Sequence, residues 1–576
     1  MPTIKVSWED LCNLILKGLT DKKISELPID VDDDLIYKDE LEDLIFLNKG
    51  EVESWEGDEI EVEVTSDRID LLSTEGFARA IRGFLGIEVG LPKYDVHKTD
   101  FELLVDPSVN KVRPYIVSGI VEDVEFTDAQ VAQIMQQQEK LHATHSRNRK
   151  QASIGLHDLD KIEPPITYCA KRPEDIHFIP LHETEEMNGY EILEKVPKGR
   201  DYAFIIEGAP VYPLLHDSKG TILSLPPIIN SVDTAVTPET RNLFFDITCL
   251  NKNIANYALN VLVCNIAERC GKIKSVNIKY PDHIEVLPDL TPNKRELHVD
   301  YAKNVLGVDL SFNELKDLIL KARMEFEENK NDKNVLTISI PAYRSDNHHE
   351  IDVVENISIA YGYNKLIPES PKIITVGEED PFEVFVRRLT YFLIGLKYQE
   401  LHNFVMTSKD VLFNKMNLAS SKQNFIEIIN PISSSFEVLR NDLLPLNLDF
   451  LSKNIHAALP INVFEIGNIV KIDESKETKT NQIRQLNVLK TDFSVSFEDI
   501  QAVLFSLMDY LELEFNLERN NNPIFIKGRG AIIKVDENVL GDIGEISLGI
   551  IKNFGLINPV VSLRLDLTQI YKLLSI

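Results

Sequence analysis

The sequence predicts a multidomain α+β protein with a large antiparallel component. Three observations lead there. The chain has 576 residues, more than one hydrophobic core organises, so roughly three to five domains are expected. Its apolar residues recur mostly with the period of two that marks half-buried strands. Between those runs stand segments with helical spacing and capping residues, and no fixed-period repeat or low-complexity tract interrupts them.

The first unit spans 1–90. "TIKV" reads as a strand. Ser7 is placed to cap the next helix, with Asp10 three residues on; Leu11, Leu14 and Ile15 give its apolar face and Gly18 ends it. "EIEVEV" alternates as a strand, Ser66 and Asp67 turn the chain, and an amphipathic helix follows through Phe77, Ile81 and Leu85. From 91 to 285 the short runs "YIVSGIVEDVEF", "AFIIEG", "LSLPPIIN" and "LFFDITCL" read as strands around helices at 129–146 and 254–269. Residues 290–370 offer two short helices joined at Gly307, a polar hairpin connection "FEENKNDKN", the strand "VLTISIPAYR" and a further helix. The last unit, 375–576, opens with the long helix "PFEVFVRRLTYFLIGLKYQ". The strands "ELHNFVM", "FIEIINPI", "INVFEIGNIV", "IRQLNVLK", "PIFIKGRGAIIKVDENVLGDIGEI" and "VVSLRLDL" follow it.

Composition excludes several classes. The apolar fraction is 43% and the charged fraction 27%, ordinary for a globular chain. No apolar run reaches the ~20 residues that span a bilayer, so a cytosolic protein without a membrane partner is expected. The net charge of −31 repels phosphate backbones, so nucleic-acid contact needs a local basic patch. One candidate is "EKLHATHSRNRKQ", with Lys140, Arg147, Arg149 and Lys150; a solvated helix face is the competing reading. Cys12, Cys169, Cys249, Cys264 and Cys270 form no CxxC pair and read as packed thiols. GxxxxGK[ST], GxSxG, HExxH and strand-linked GxGxxG are all absent. "HATH" sets His142 and His145 one turn apart, with no further zinc ligand evident.

"YRSDNHHEIDVVENISIAYGY" (343–363) concentrates acids before an apolar stretch. Asp352, Glu355 and Asn356 share a helix face, and Asp346 lies in the turn upstream. Such oxygen ligands suit Mg²⁺. Carboxylates stabilising a helix N-terminus explain the same pattern, at ~0.3–1 kcal/mol per charge.

Seven stretches in order carry a family resemblance: "SDRIDLLSTEGFARAIRGFLG", "ASIGLHDLDKI", "LLHDSKGTILSLPPIINS", "RSDNHHEIDVVENISIAYGYNKL", "VLRNDLLPLNLDFLSKN", "VFEIGNIV" and "GDIGEI". Together they resemble the β subunit of phenylalanyl-tRNA synthetase, of the archaeal and eukaryotic-cytosolic type. The resemblance implies an N-terminal domain at 1–90, a mixed α+β editing (B3/B4-like) domain at 91–285 and a small helical (B5-like) domain at 290–370. It also implies, at 375–576, an inactive copy of the class II synthetase fold, an antiparallel sheet flanked by helices. The implied partners are an α subunit in an (αβ)₂ tetramer, which binds ATP and phenylalanine, and tRNA(Phe). Inactivity of 375–576 has independent support. Arg440 of "VLRNDLL" stands in Leu-rich, helix-like surroundings, and Arg529 of "GRGAIIK" precedes a strand rather than opening a helix.

The resemblance also implies site residues. Its magnesium ligands match Asp346, Asp352, Glu355 and Asn356, where the family usually has a fourth acid instead of Asn356. Its pocket for hydrolysing mischarged Tyr-tRNA(Phe) matches Gln138, Arg149, Leu215, Ser224, Asn230, Asp246 and Thr248. Such a site is needed because an apolar pocket rejects an added hydroxyl only ~10²-fold. Asp246 is suited to accept from the phenol, Leu215 to pack the ring, and Arg149 with Lys150 to meet the tRNA end. Gln138, Ser224, Asn230 and Thr248 are suited to orient water or the ester. No Ser–His or Cys–His nucleophile pair is evident, so water attack is expected. The rival reading is a non-catalytic scaffold that binds α and tRNA.

Overall fold

The computed structural model describes every residue except 33–34, 270, 420–424 and 575–576. It divides into two compact units, 1–370 and 371–576.

In the first unit, Thr3–Ser7 pairs antiparallel with Glu59–Val64, which pairs with Gly50–Glu56. Ser7 caps helix Trp8–Leu16 by accepting from the Asp10 N–H. Ser73 likewise caps Thr74–Phe84. A four-stranded antiparallel sheet follows, in the order Lys272–Lys274, Tyr115–Glu122, Leu243–Cys249, Ala152–Asp158, so Ala152–Asp158 is an edge strand. Leu243–Cys249 and Ala152–Asp158 are buried along their whole length. A seven-stranded sheet contains Tyr212–His216, Ile222–Leu225 and Ile229–Asn230 at one end. Helix Asp128–Ala143 opens with a reciprocal Thr127–Gln130 capping box.

Residues 293–361 are not purely helical. Asn293–His298, Val335–Ile340 and Glu325–Glu328 form a three-stranded sheet, joined by helices Val299–Leu306, Phe312–Lys321 and Glu350–Tyr361. Gly307 ends the first of these helices at φ 67°, the left-handed position that glycine takes without strain.

The second unit has a seven-stranded sheet whose long members are Ile461–Ile472, Thr480–Thr491, Val560–Asp566, Asn538–Ile546 and Phe525–Val535. All of these pair antiparallel. Helix Pro381–Gly395 contributes Val386, Leu389 and Leu393 to the core on this sheet.

Three predicted strands differ. "AFIIEG" is a short 3₁₀ turn, because Pro197 starts helix Pro197–Tyr202 immediately before it. "ELHNFVM" pairs only at its two ends, as Gln399–Glu400 and Met406–Thr407. "FIEIINPI" makes a single bridge, Glu427 to Val438. The four described cysteines are buried and free, and Cys270 lies outside the described residues. Among the described residues, no helix is long and apolar enough to cross a membrane.

Candidate functional site

A cavity of about 430 Å³ lies between helix Asp128–Ala143, the Ala152–Asp158 edge strand and the segment 224–230. Its walls are apolar at Val131, Met135, Ile154 and Leu156, with a few polar groups converging. That composition suits a small aromatic or aliphatic ligand.

Asp246 is the buried carboxylate of this cavity. Strand register places it opposite Gly155, with Thr248 opposite Ser153 and Phe244 opposite His157. His157 Nε2 lies 2.7 Å from Asp246 Oδ2, and Ser224 Oγ donates to the same oxygen at 3.2 Å. His157 Nδ1 lies 2.8 Å from Thr234 Oγ1. Glycine at 155 is a steric requirement: a Cβ there would stand 2.3 Å from Asp246 Oδ2.

Serine, histidine and aspartate therefore meet, but not in the order of a hydrolytic relay. Both hydrogen bonds fall on the carboxylate, and Ser224 faces no imidazole that would take its proton. No described residue donates to Asp246 Oδ1, the oxygen left for a ligand.

The remaining wall is held by side chain to main chain bonds. Gln138 Nε2 donates to the Ile154 carbonyl at 2.6 Å, and Asn230 Nδ2 to the Leu156 carbonyl at 3.1 Å. The Ile154 N–H donates to His142 Nε2 at 2.8 Å. His142 therefore carries its proton on Nδ1, toward Glu139 at 3.4 Å. Burial and the Arg149 charge outweigh Glu139 and push the His142 pKa down to about 4. Burial opposes ionisation of Glu139, but His142 and Arg149 hold its carboxyl well below the usual range. His145 bonds the Ile254 carbonyl, so the two histidines of "HATH" do not converge on a metal.

Arg149 is 6% exposed. It donates to the Pro227 and Ile228 carbonyls at 3.2 and 2.7 Å and to Glu139 at 2.7 Å, and it stacks over Tyr202 at 4.4 Å. Its inward course follows from a left-handed turn in which Arg147, Asn148 and Arg149 all have φ between 51° and 61°. Buried Arg113 pins that turn. It donates to the Arg149 carbonyl at 3.0 Å, to the Thr248 carbonyl at 2.9 Å and to Thr248 Oγ1 at 3.0 Å.

Of the expected pocket residues, Gln138, Arg149, Ser224, Asn230 and Asp246 come together on this wall. Leu215 and Thr248 do not. Leu215 is wholly buried opposite Ser224, and Thr248 is wholly buried against Arg113. Sequence reasoning missed His157, Thr234, Gly155 and Arg113. Ser153, Gly155 and His157 share one face of a period-two strand, a signal that was readable within "ASIGLHDLDKI".

The four residues matched to the magnesium site each have a partner within the chain. The Arg344 guanidinium grips Asp346 at 2.8 and 2.5 Å and donates to Asn356 Oδ1 at 2.6 Å, so a cation already occupies that position. Asp352 Oδ2 caps the helix, accepting from the His348 and His349 N–H groups at 2.7 Å each. Glu355 turns away to Lys49 at 2.8 Å. The helix-start reading explains Asp352, and ion pairing explains the other two acids.

Comparison with known proteins completes this picture. The B3/4 domain model matches residues 141–266, the tRNA synthetase B5 domain model matches 295–363, and the phenylalanyl tRNA synthetase beta chain CLM domain model matches 367–567. The phenylalanine--tRNA ligase beta subunit of Pyrococcus furiosus is 41% identical over 540 residues, covering 93% of this chain and 96% of that protein. The protein of the same name from Thermococcus gammatolerans is 40% identical over 579 residues, covering 99% of each chain. This chain belongs to the phenylalanine–tRNA ligase β-subunit family. A crystal structure of an N-terminal fragment of the phenylalanyl-tRNA synthetase β subunit from Pyrococcus horikoshii also resembles it. That likeness has 40% identity and a TM-score of 0.57, covering 63% of this chain and all of that one. The cavity of the present β-subunit chain falls within and around the segment matched by the B3/4 model.

Proposed function

We propose that this chain works with an α subunit, in a cytoplasmic (αβ)₂ tetramer, to attach phenylalanine to tRNA(Phe) at the expense of ATP. On this reading ATP and phenylalanine bind to α, and the cavity of the 91–285 domain hydrolyses mischarged Tyr-tRNA(Phe). The observation that carries the second half is Asp246. It presents a carboxylate oxygen inside an apolar cavity of about 430 Å³, large enough for a tyrosyl group. A phenol donates to such an oxygen, whereas phenylalanine leaves it buried and unpaired, which costs ~1–3 kcal/mol or more. His157 and Ser224 hold the carboxylate in place for that choice. With Ser224 lacking a base, attack falls to water entering beside the ester.

The 375–576 domain is read as an inactive class II synthetase-like copy. Arg440 is buried against Glu465 at 2.5 Å and donates to the Asn468 and Asn403 carbonyls. Arg529 lies within strand Phe525–Val535 and pairs with Glu545 at 2.6 Å. Arg564, which sequence reasoning did not single out, is held by Asp442 and by Asp542 at 2.6 Å. Each of these three arginines already has an internal carboxylate partner.

The test is hydrolysis of preformed Tyr-tRNA by the tetramer. Asp246→Ala should slow it roughly ten- to a hundredfold, the worth of a hydrogen bond to a charged group, while phenylalanine attachment stays near normal. An unchanged rate would remove the carboxylate from the reaction.

A further inference from the structure

A second, much smaller cavity lies between the N-terminal elements and the 293–361 domain, about 30 Å³ in volume. Four guanidinium groups line it: Arg68, Arg79, Arg323 and Arg344. All four residues are at most 5% exposed. Two of them are neutralised. Arg68 meets Asp70 through two bonds of 2.8 Å, and Arg344 meets Asp346 as described above.

The other two are not neutralised to the same degree. Arg79 reaches Glu268 only at 3.5 Å and otherwise touches the Tyr94 hydroxyl at 3.2 Å and the face of Tyr343 at 4.0 Å. Arg323 reaches Glu88 at 3.2 Å, a half-exposed carboxylate that Arg82 shares. Arg79 Nη2 and Arg323 Nε are buried with no hydrogen-bond partner. Arg323 enters because Gly83 leaves it room: a Cβ at 83 would stand 2.7 Å from Arg323 Cδ.

Against these four guanidinium groups one carboxylate, Asp70, lines the cavity, and the partners of Arg79 and Arg323 lie outside it; a buried donor without an acceptor is costly. Water would satisfy the N–H groups, but an anion also answers the excess of guanidinium over carboxylate in the lining. A volume of about 30 Å³ holds one or two water-sized species, too little for a tetrahedral oxyanion. The structure assigns this cavity to a single halide ion, chloride under ordinary conditions, bound by Arg79 and Arg323 at the junction of the two domains.

The experiment is a crystal of the full chain grown from bromide in place of chloride. A bromine anomalous peak within hydrogen-bond reach of Arg79 Nη2 and Arg323 Nε is expected; water density alone overturns the assignment. In solution, thermal melts in chloride and in gluconate at equal ionic strength should diverge. For a unit of 370 residues the midpoint should rise by about 2 °C per tenfold increase in chloride above its Kd. Arg323→Gln, or Arg79→Gln if the first variant does not fold, should abolish that divergence. Bromide in the cavity without a chloride-dependent midpoint would mark an adventitious ion and overturn the assignment equally.

Discussion

Replacing Gly155 by alanine should disable the cavity without touching a polar group. The added Cβ would stand 2.3 Å from Asp246 Oδ2 and 2.9 Å from His157 Nε2. An ordinary contact is roughly 3.5 Å, so the carboxylate must retreat by about 1 Å. The 2.7 Å bond to His157 does not survive that movement at useful length. Losing one hydrogen bond to a charged group costs ~1.5–3 kcal/mol, or roughly ten- to a hundredfold in rate. Overpacking the strand costs a further ~1–3 kcal/mol of stability, which a thermal melt would read separately. The assay is deacylation of preformed Tyr-tRNA by the tetramer, with phenylalanine attachment as the internal control. Wild-type deacylation by Gly155→Ala, alongside slow deacylation by Asp246→Ala, would refute the claim that His157 and Ser224 must hold the carboxylate where it stands.

Three further outcomes are expected. His142 is neutral in the fold with its pKa near 4, against an ordinary 6.5, so its contribution is complete above pH 6.5. It is lost as pH falls toward 4, about 3 kcal/mol in all, and His142→Gln should flatten that part of the stability–pH curve in denaturant titrations. Asp352→Ala should lower stability by ~0.5–2 kcal/mol through the uncapped His348 and His349 N–H groups, with no change in bound divalent metal; a tight Mn²⁺ signal that vanishes in this variant would reinstate the acids as ligands. The chain alone, given ATP, phenylalanine and tRNA, should make no Phe-tRNA, because Arg440, Arg529 and Arg564 are all paired internally; charging that survives removal of every trace of α would contradict this.

Much of this architecture was legible in the residues. Ser7, Gly307 and the alternation of "EIEVEV" mark their elements because caps and period-two patterns act locally. "AFIIEG" and "FIEIINPI" misled because apolar runs of that length fit a turn or an irregular segment as well as a strand. Asp246 could be named from the resemblance, but its partners could not. His157 is 89 residues away in sequence, and only the register of two strands brings it alongside. The acids at 346–355 show the opposite limit. Their spacing shows a shared face but not which cation sits there, and Arg344, two residues from Asp346, is that cation.

The Ala152–Asp158 strand ends its sheet, and an unpaired strand rim is a template on which another chain can polymerise. Here the outward groups of Ile154 and Leu156 are already taken by Gln138, His142 and Asn230. Side chains thus stand in for the missing neighbouring strand. On the proposed reading, substrate selection and solubility are written in the same three residues. A library randomised at 138, 142 and 230 to change which ester is cleaved would be purged first by aggregation, and only its soluble remainder would ever be sampled for specificity.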